Sequence, residues 1–192
     1  MPAIKPKLHH VTFRTRRLDD MLKWYSTVLG ARVLFRNEVA AWTSNDEANH
    51  RIAFLAVPGI SEDPEKIRHS GIHHTAFEYE SFDDLMSSYE RLRGEGLTPA
   101  FCLDHGMTVS IYYEDPEGNY VELQCDCFGD WKRSAEWMNT SDDFKRDPVG
   151  TFFDPASVLA AHKAGVAFQT LHKGMRGGDY LPAVIPNIGL PG

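Results

Sequence analysis

The chain has 192 residues, 42% of them hydrophobic and 11% aromatic, with a formal net charge of −7 at pH 7. That length suits one substantial core in a single globular domain, and the acidic balance offers no basic patch for nucleic acid. No apolar run reaches membrane-spanning length, "MPAIKPK" lacks the apolar stretch of a secretory signal, and Cys102, Cys125 and Cys127 form no C-x-x-C pair, so a cytoplasmic protein with reduced thiols and no membrane partner is expected.

The first predicted element is a strand in "KLHHVTFRT" at residues 7–15. A helix follows, with apolar residues Leu18, Met21, Leu22, Tyr25 and Val28 on one face of a 3.6-residue period. Asp19 and Asp20 open it, where carboxylates suit the positive end of the helix dipole, and Gly30 closes it. "ARVLFRNEVAAWTS" and "HRIAFLAVPG" then read as strands rich in β-branched and aromatic residues. Residues 59–70, "GISEDPEKIRHS", are polar and contain proline, as a linker would.

After the linker the same pattern is written again. "GIHHTAFEY" at 71–79 repeats the His-His-x-x-Phe frame, and the match runs without a gap from Leu8/Ile72 to Gly30/Gly94. Asp83-Asp84 answers Asp19-Asp20, Tyr89 answers Tyr25, and Phe82, Leu85, Met86, Tyr89 and Leu92 form the second helix face. The strands "TPAFCLD" and "TVSIYYE", the hairpin turn Asp115-Pro116-Glu117-Gly118-Asn119 and the strand "YVELQCD" complete the copy. One strand-helix-three-strand unit has therefore been duplicated, which predicts an α+β fold of two βαβββ modules, at 7–58 and 71–127. Residues 128–192 lie outside the repeat and form a C-terminal extension with one predicted helix near Pro155 and apolar anchors at Trp131, Trp137, Phe152 and Phe153. It is expected to pack on the domain or on a partner subunit.

Strand alternation puts His10 with Thr12 and Arg14, His74 with Ala76 and Glu78, and Glu122 with Tyr120 and Gln124. A carboxylate in an otherwise apolar strand is costly to bury without a partner. Two imidazoles and one carboxylate converging inside a curved sheet would make a metal site, although histidines in strands are often structural and spacing alone leaves the two readings even. The duplication favours the metal, because it sets both histidines at the same point of equivalent strands. His9 and His73 are expected to face away, His69 lies in the linker, and Cys125 and Cys127 lie off the glutamate face.

These residues resemble the vicinal oxygen chelate superfamily, in which paired modules form a cupped mixed β-barrel around a divalent metal. Within it the chain is most similar to small one-domain type I extradiol dioxygenases of the biphenyl-2,3-diol 1,2-dioxygenase type. The resemblance implies His10, His74 and Glu122 as metal ligands, Fe(II) as the cofactor with Mn(II) as the alternative, and a homo-oligomer. A two-histidine, one-carboxylate face leaves coordination sites open for substrate and dioxygen. The resemblance further places an active-site histidine at His50, before "RIAF", and a tyrosine at Tyr112, ten residues before the glutamate. A further histidine is expected near Leu103, and His105 lies two positions away. The implied reaction inserts both atoms of O2 into an aryl-substituted catechol such as 2,3-dihydroxybiphenyl, with His50 moving protons and Tyr112 and His105 holding oxygen substituents. A metal-dependent transferase or isomerase of the same superfamily and a metal-free aromatic-compound binding protein are the other function classes.

Overall fold

A computed structural model describes residues 3–188. The chain divides into two compact units, one comprising the chain up to Pro64 together with Asp115–Gly118, the other Glu65–Glu114 and the chain from Asn119 onward.

The first unit contains β1 (Val11–Thr15), α1 (Leu18–Leu29), β2 (Arg32–Arg36), β3 (Ala40–Ser44) and β4 (Ile52–Ala56). Its sheet has the order β1-β4-β3-β2, with β1 and β4 parallel and the other pairs antiparallel. The parallel pairing needs a long crossover, and α1 with β2 and β3 supplies it. The apolar face of α1 is buried as the periodicity predicts, with Met21 and Tyr25 fully inaccessible beside Ile52 and Phe54 of β4. Gly30 ends the helix in the left-handed region at φ 65°. The edge strand β2 is exposed along its whole length, and Val33, Leu34 and Phe35 are among its exposed residues.

The second unit repeats this plan with β5 (His74–Tyr79), α2 (Phe82–Gly94), β6 (Phe101–Asp104), β7 (Thr108–Glu114) and β8 (Tyr120–Asp126), in the order β5-β8-β7-β6. Identical strand order and the same single parallel pair confirm the duplication. Ser81 caps α2 by accepting from the Asp84 backbone N–H. Gly94, expected to stop this helix, lies within it, and the left-handed glycine is Gly96 at φ 81°. The second helix thus runs one residue longer than the first, because its closing glycine is displaced.

The C-terminal extension holds more regular structure than the single helix expected. It contains α3 (Trp131–Thr140), α4 (Asp142–Arg146), β9 (Thr151–Phe152), α5 (Pro155–Lys163) and α6 (Phe168–Gly177). Pro155 occupies the first turn of α5, where its missing N–H costs nothing, and Asp154 accepts from the Ala156 and Ser157 N–H groups. β9 adds antiparallel to β6, and Phe153, Val158, Leu171 and Met175 are buried. Trp131 is not a buried anchor: it is 72% exposed and donates from Nε1 to Glu78. Residues 180–188 have no helix or strand, as the proline and glycine content there predicts. Among the described residues no helix is long and apolar enough to cross a membrane, and all three cysteines are free.

Candidate active site

Glu122 is held at the centre of a polar chain within the second unit. Parallel pairing sets Ala76 of β5 opposite Glu122, which brings His74, two residues earlier on the same face, beside the carboxylate. Antiparallel pairing sets Tyr112 of β7 directly opposite Glu122. The side chains meet accordingly: His74 Nε2 lies 3.0 Å from Glu122 Oε2, and the Tyr112 hydroxyl donates to Glu122 Oε1 at 2.9 Å. His105 Nε2 is 2.9 Å from the same hydroxyl, and its Nδ1 is 2.5 Å from the carbonyl oxygen of Val149.

Burial governs the electrostatics of this chain. Glu122 is 4% exposed, and burial alone would raise its pKa, but the hydrogen bond and charge of His74, aided by the Tyr112 hydroxyl, hold the carboxyl below its usual value. Glu122 is therefore an anion at neutral pH, ready to bind a cation. The Tyr112 hydroxyl is pushed well up, first by burial and then by the Glu122 charge, so it stays a hydrogen-bond donor. Burial also lowers the His105 pKa, against the opposing pull of Glu122.

A second constellation lies in the first unit. His9, His10 and His50 present nitrogen atoms all within 4.8 Å of one another. The ring of His10 is 4.3 Å from that of His50, and His9 is 5.3 Å from His10 and 5.1 Å from His50. His50 Nδ1 lies 2.8 Å from the Asn49 side-chain oxygen. Partial desolvation, and then the charges of His10 and His9, hold His50 below the usual histidine range. His9, expected to face away from His10, joins it: Nδ1 of each lies 3.1 Å from the other. The cause is local. β1 begins at Val11, so residues 9 and 10 precede the pleat and alternation does not govern them. His73 likewise precedes β5, with its Nδ1 2.8 Å from Nδ1 of His74.

The donor set on Glu122 suits a divalent transition metal. A carboxylate and an imidazole 3.0 Å apart offer the oxygen and nitrogen ligands that Fe(II) and Mn(II) accept. A separate cleft of about 490 Å³, lined by Glu78, Glu80, Asp126, Asp130 and Trp131 among others, contains none of these ligands and is not the site of this chemistry. The sequence reading missed Val149, whose contribution is a backbone carbonyl and carries no side-chain signal. It also missed the part of His9, which the paired histidines could have signalled had the strand been started at Val11.

The duplicated βαβββ plan has wide kinship. The model of the Glyoxalase/Bleomycin resistance protein/Dioxygenase superfamily matches residues 7–123. Biphenyl-2,3-diol 1,2-dioxygenase 2 of Rhodococcus globerulus is 39% identical over 160 residues, covering 83% of this chain and 83% of the relative. Biphenyl-2,3-diol 1,2-dioxygenase 3 of the same organism is 37% identical over 164 residues, covering 85% and 86%. The crystal structure of a glyoxylase/bleomycin resistance protein/dioxygenase domain from a Frankia species has the same fold, with a TM-score of 0.54 and 21% identity over 64% of this chain and 99% of that one. Since the match extends through both copies of the repeat and takes in the strand that carries Glu122, the chain belongs to the Glyoxalase/Bleomycin resistance protein/Dioxygenase superfamily.

Proposed function

We propose that the protein is an extradiol dioxygenase that opens the ring of an aryl-substituted catechol such as 2,3-dihydroxybiphenyl, using Fe(II) held by His10, His74 and Glu122. The observation that carries this reading is the His74–Glu122–Tyr112–His105 chain of contacts. It joins an anionic carboxylate and an imidazole to two further groups able to hold a substrate's oxygen atoms. The two Rhodococcus relatives, named as dioxygenases of a biphenyl diol, support the same substrate class.

A divalent metal bound there supplies the positive charge that lets a catechol hydroxyl ionise near neutral pH. The chain's own residues do the rest. Tyr112 keeps its proton and orients the Glu122 carboxylate. His105 stands behind Tyr112 as a hydrogen-bond partner for a substrate oxygen. His50, with its pKa held below the usual range, is neutral at pH 7 and able to take a proton from a diol or return one. A second copy of the chain is proposed as a partner, supported by the exposed Val33, Leu34 and Phe35 on the free edge of β2.

The test is metal analysis of anaerobically purified protein, followed by oxygen uptake and the absorbance of the yellow ring-opened product from 2,3-dihydroxybiphenyl. Near-stoichiometric iron and one O2 consumed per diol are expected. No uptake by iron-loaded protein with several aryl catechols would sink the reading.

A further inference from the structure

His105 is held from behind by a segment that lies outside the duplicated modules. Its Nδ1 sits 2.5 Å from the carbonyl oxygen of Val149 in the C-terminal extension, while Nε2 faces the Tyr112 hydroxyl at 2.9 Å. A carbonyl only accepts, so at this distance Nδ1 carries the hydrogen. In the neutral ring Nε2 is then bare and competes with Glu122 Oε1, each 2.9 Å from the hydroxyl oxygen, for the single Tyr112 hydrogen. A ring with its hydrogen on Nε2, or a flipped ring, would leave Val149 without its donor.

The approach of this carbonyl depends on a glycine. Gly150 has φ 101°, and a Cβ there would stand 2.3 Å from the Asp104 carbonyl oxygen and 2.9 Å from the His105 Cα. No side chain fits, and L-residues rarely adopt that φ. The turn is fastened on both sides: the Gly150 N–H donates to Asp147 Oδ1 at 2.8 Å, and the next residues, as β9, pair with Leu103 and Asp104. From α6, Arg176 donates to the Asp104 carbonyl at 3.0 Å, and its own carbonyl accepts from the Thr151 hydroxyl at 3.4 Å. The His105 side chain is 15% exposed, so water competes little for Nδ1. Together these contacts hold the turn that presents the Val149 carbonyl to the His105 ring.

We infer that residues 147–151 are a positioning element of the active site, in which the Val149 carbonyl, admitted by Gly150, fixes the tautomer and direction of the His105 ring. The inference rests on the dioxygenase reading for its catalytic meaning and on the contacts above for its geometry. It gives the extension a part in the chemistry: the repeat carries His105, and the extension orients it.

The experiment has two arms on the full-length chain. In the first, ¹⁵N spectra of the imidazole nitrogens are recorded without added metal and assigned by comparison with His105→Gln. Wild type and Asp147→Asn, which keeps an acceptor for the Gly150 N–H, are expected to show His105 with hydrogen on Nδ1. Gly150→Ala and Asp147→Ala are expected to show a mixture or a shift to Nε2. In the second arm, iron-loaded proteins turn over 2,3-dihydroxybiphenyl. Gly150→Ala should lose about 10–100-fold in kcat with KM and iron content little changed, as for lost orienting partners of a site residue, and Asp147→Asn should restore what Asp147→Ala loses. A wild-type ring carrying its hydrogen on Nε2, or variants with unaltered tautomer and kcat, would overturn the inference. Should Gly150→Ala fail to fold, the wild-type tautomer and the Asp147 pair still decide. If the wild type consumed no oxygen, the dioxygenase reading would fall while the spectra still judged the Val149 contact.

Discussion

Tyr112 and Glu122 stand directly opposite each other on neighbouring antiparallel strands, and the tyrosine hydroxyl donates to the glutamate at 2.9 Å. The pair lies ten positions apart in the chain, with the Asp115–Gly118 turn between them, and the hairpin register brings them together. Tyr112→Phe removes this donor while keeping the ring, which stacks on Phe101 with centroids 4.2 Å apart. The fold should survive, and metal affinity or turnover should fall about 10–100-fold. Metal titration followed by calorimetry, with circular dichroism as the folding control, checks this outcome; unchanged affinity and turnover would show the hydroxyl to be incidental.

The ligand assignment can be separated from a competing one visible in the first unit. If His10, His74 and Glu122 hold the iron, alanine at any of the three should abolish stoichiometric binding, while His9→Ala and His73→Ala should retain most of it. If instead the trio His9, His10 and His50 bound the ion, His74→Ala and Glu122→Ala would keep it. Iron content after desalting of each purified variant distinguishes the two sets.

The role given to His50 turns on turnover rather than binding. His50→Phe fills the ring's volume without a titratable nitrogen, so iron content and anaerobic catechol binding should stay near those of wild type. Oxygen uptake should slow by about 10²–10⁴-fold, the range of lost acid–base catalysis. Wild-type rates in the variant would reduce His50 to a bystander in the histidine cluster.

What could be read from residues alone follows from what the duplication constrains. Two gap-free copies gave the helices, the succession of strands along each module and the equivalence of His10 with His74, because an apolar face at helical spacing has one way to be buried. Tyr112 was placed by the resemblance, through its ten-residue spacing from Glu122, and its contact with the carboxylate came from the hairpin register seen in the fold. His105 was placed only by proximity to Leu103, and its tie to Tyr112 needed coordinates. The extension was less legible: α3, α4 and α6 have no second copy to check against, and β9 is two residues long. Gly94 misled because two glycines lie within three positions, and which one takes the left-handed conformation depends on how the helix end packs. Val149 was out of reach, since any residue type offers the same carbonyl.

Thiol chemistry offers a check on the buried face of β8. Burial pushes the Cys125 thiol up to about 12, and it likewise raises Cys102 and Cys127. At pH 8 a thiol of that pKa is about 10⁻⁴ thiolate, and the thiolate is the reactive form. A disulfide reagent should therefore label none of the three cysteines rapidly in the native protein and all three after denaturation. A fast phase of one equivalent or more in the native state would show that this face opens.

The last expectation concerns stability and pH in the first unit, where Glu117 binds the end of β1 and the residue after it, Arg16. Its Oε1 accepts from the Thr15 hydroxyl at 2.8 Å and from the Arg16 N–H at 2.8 Å, and the Arg16 guanidinium lies 3.3 Å from Oε2. Burial would raise the Glu117 pKa, but these hydrogen bonds and the Arg16 charge outweigh it and set the folded value below the ordinary one of 4.5. A carboxylate depressed on folding adds stability that is present above the unfolded pKa and lost as pH falls through the folded one. With the side chain 11% exposed, Glu117→Gln should cost about 1–2 kcal/mol at pH 7, the usual scale for a charge-assisted hydrogen bond. The difference from wild type should narrow from about pH 5 downward and vanish once wild-type Glu117 is protonated. Urea unfolding of both proteins from pH 7 to pH 3 measures it, and a gap that stayed constant across that range would mean that the carboxylate's charge contributes nothing and that shape alone holds Glu117 against Thr15.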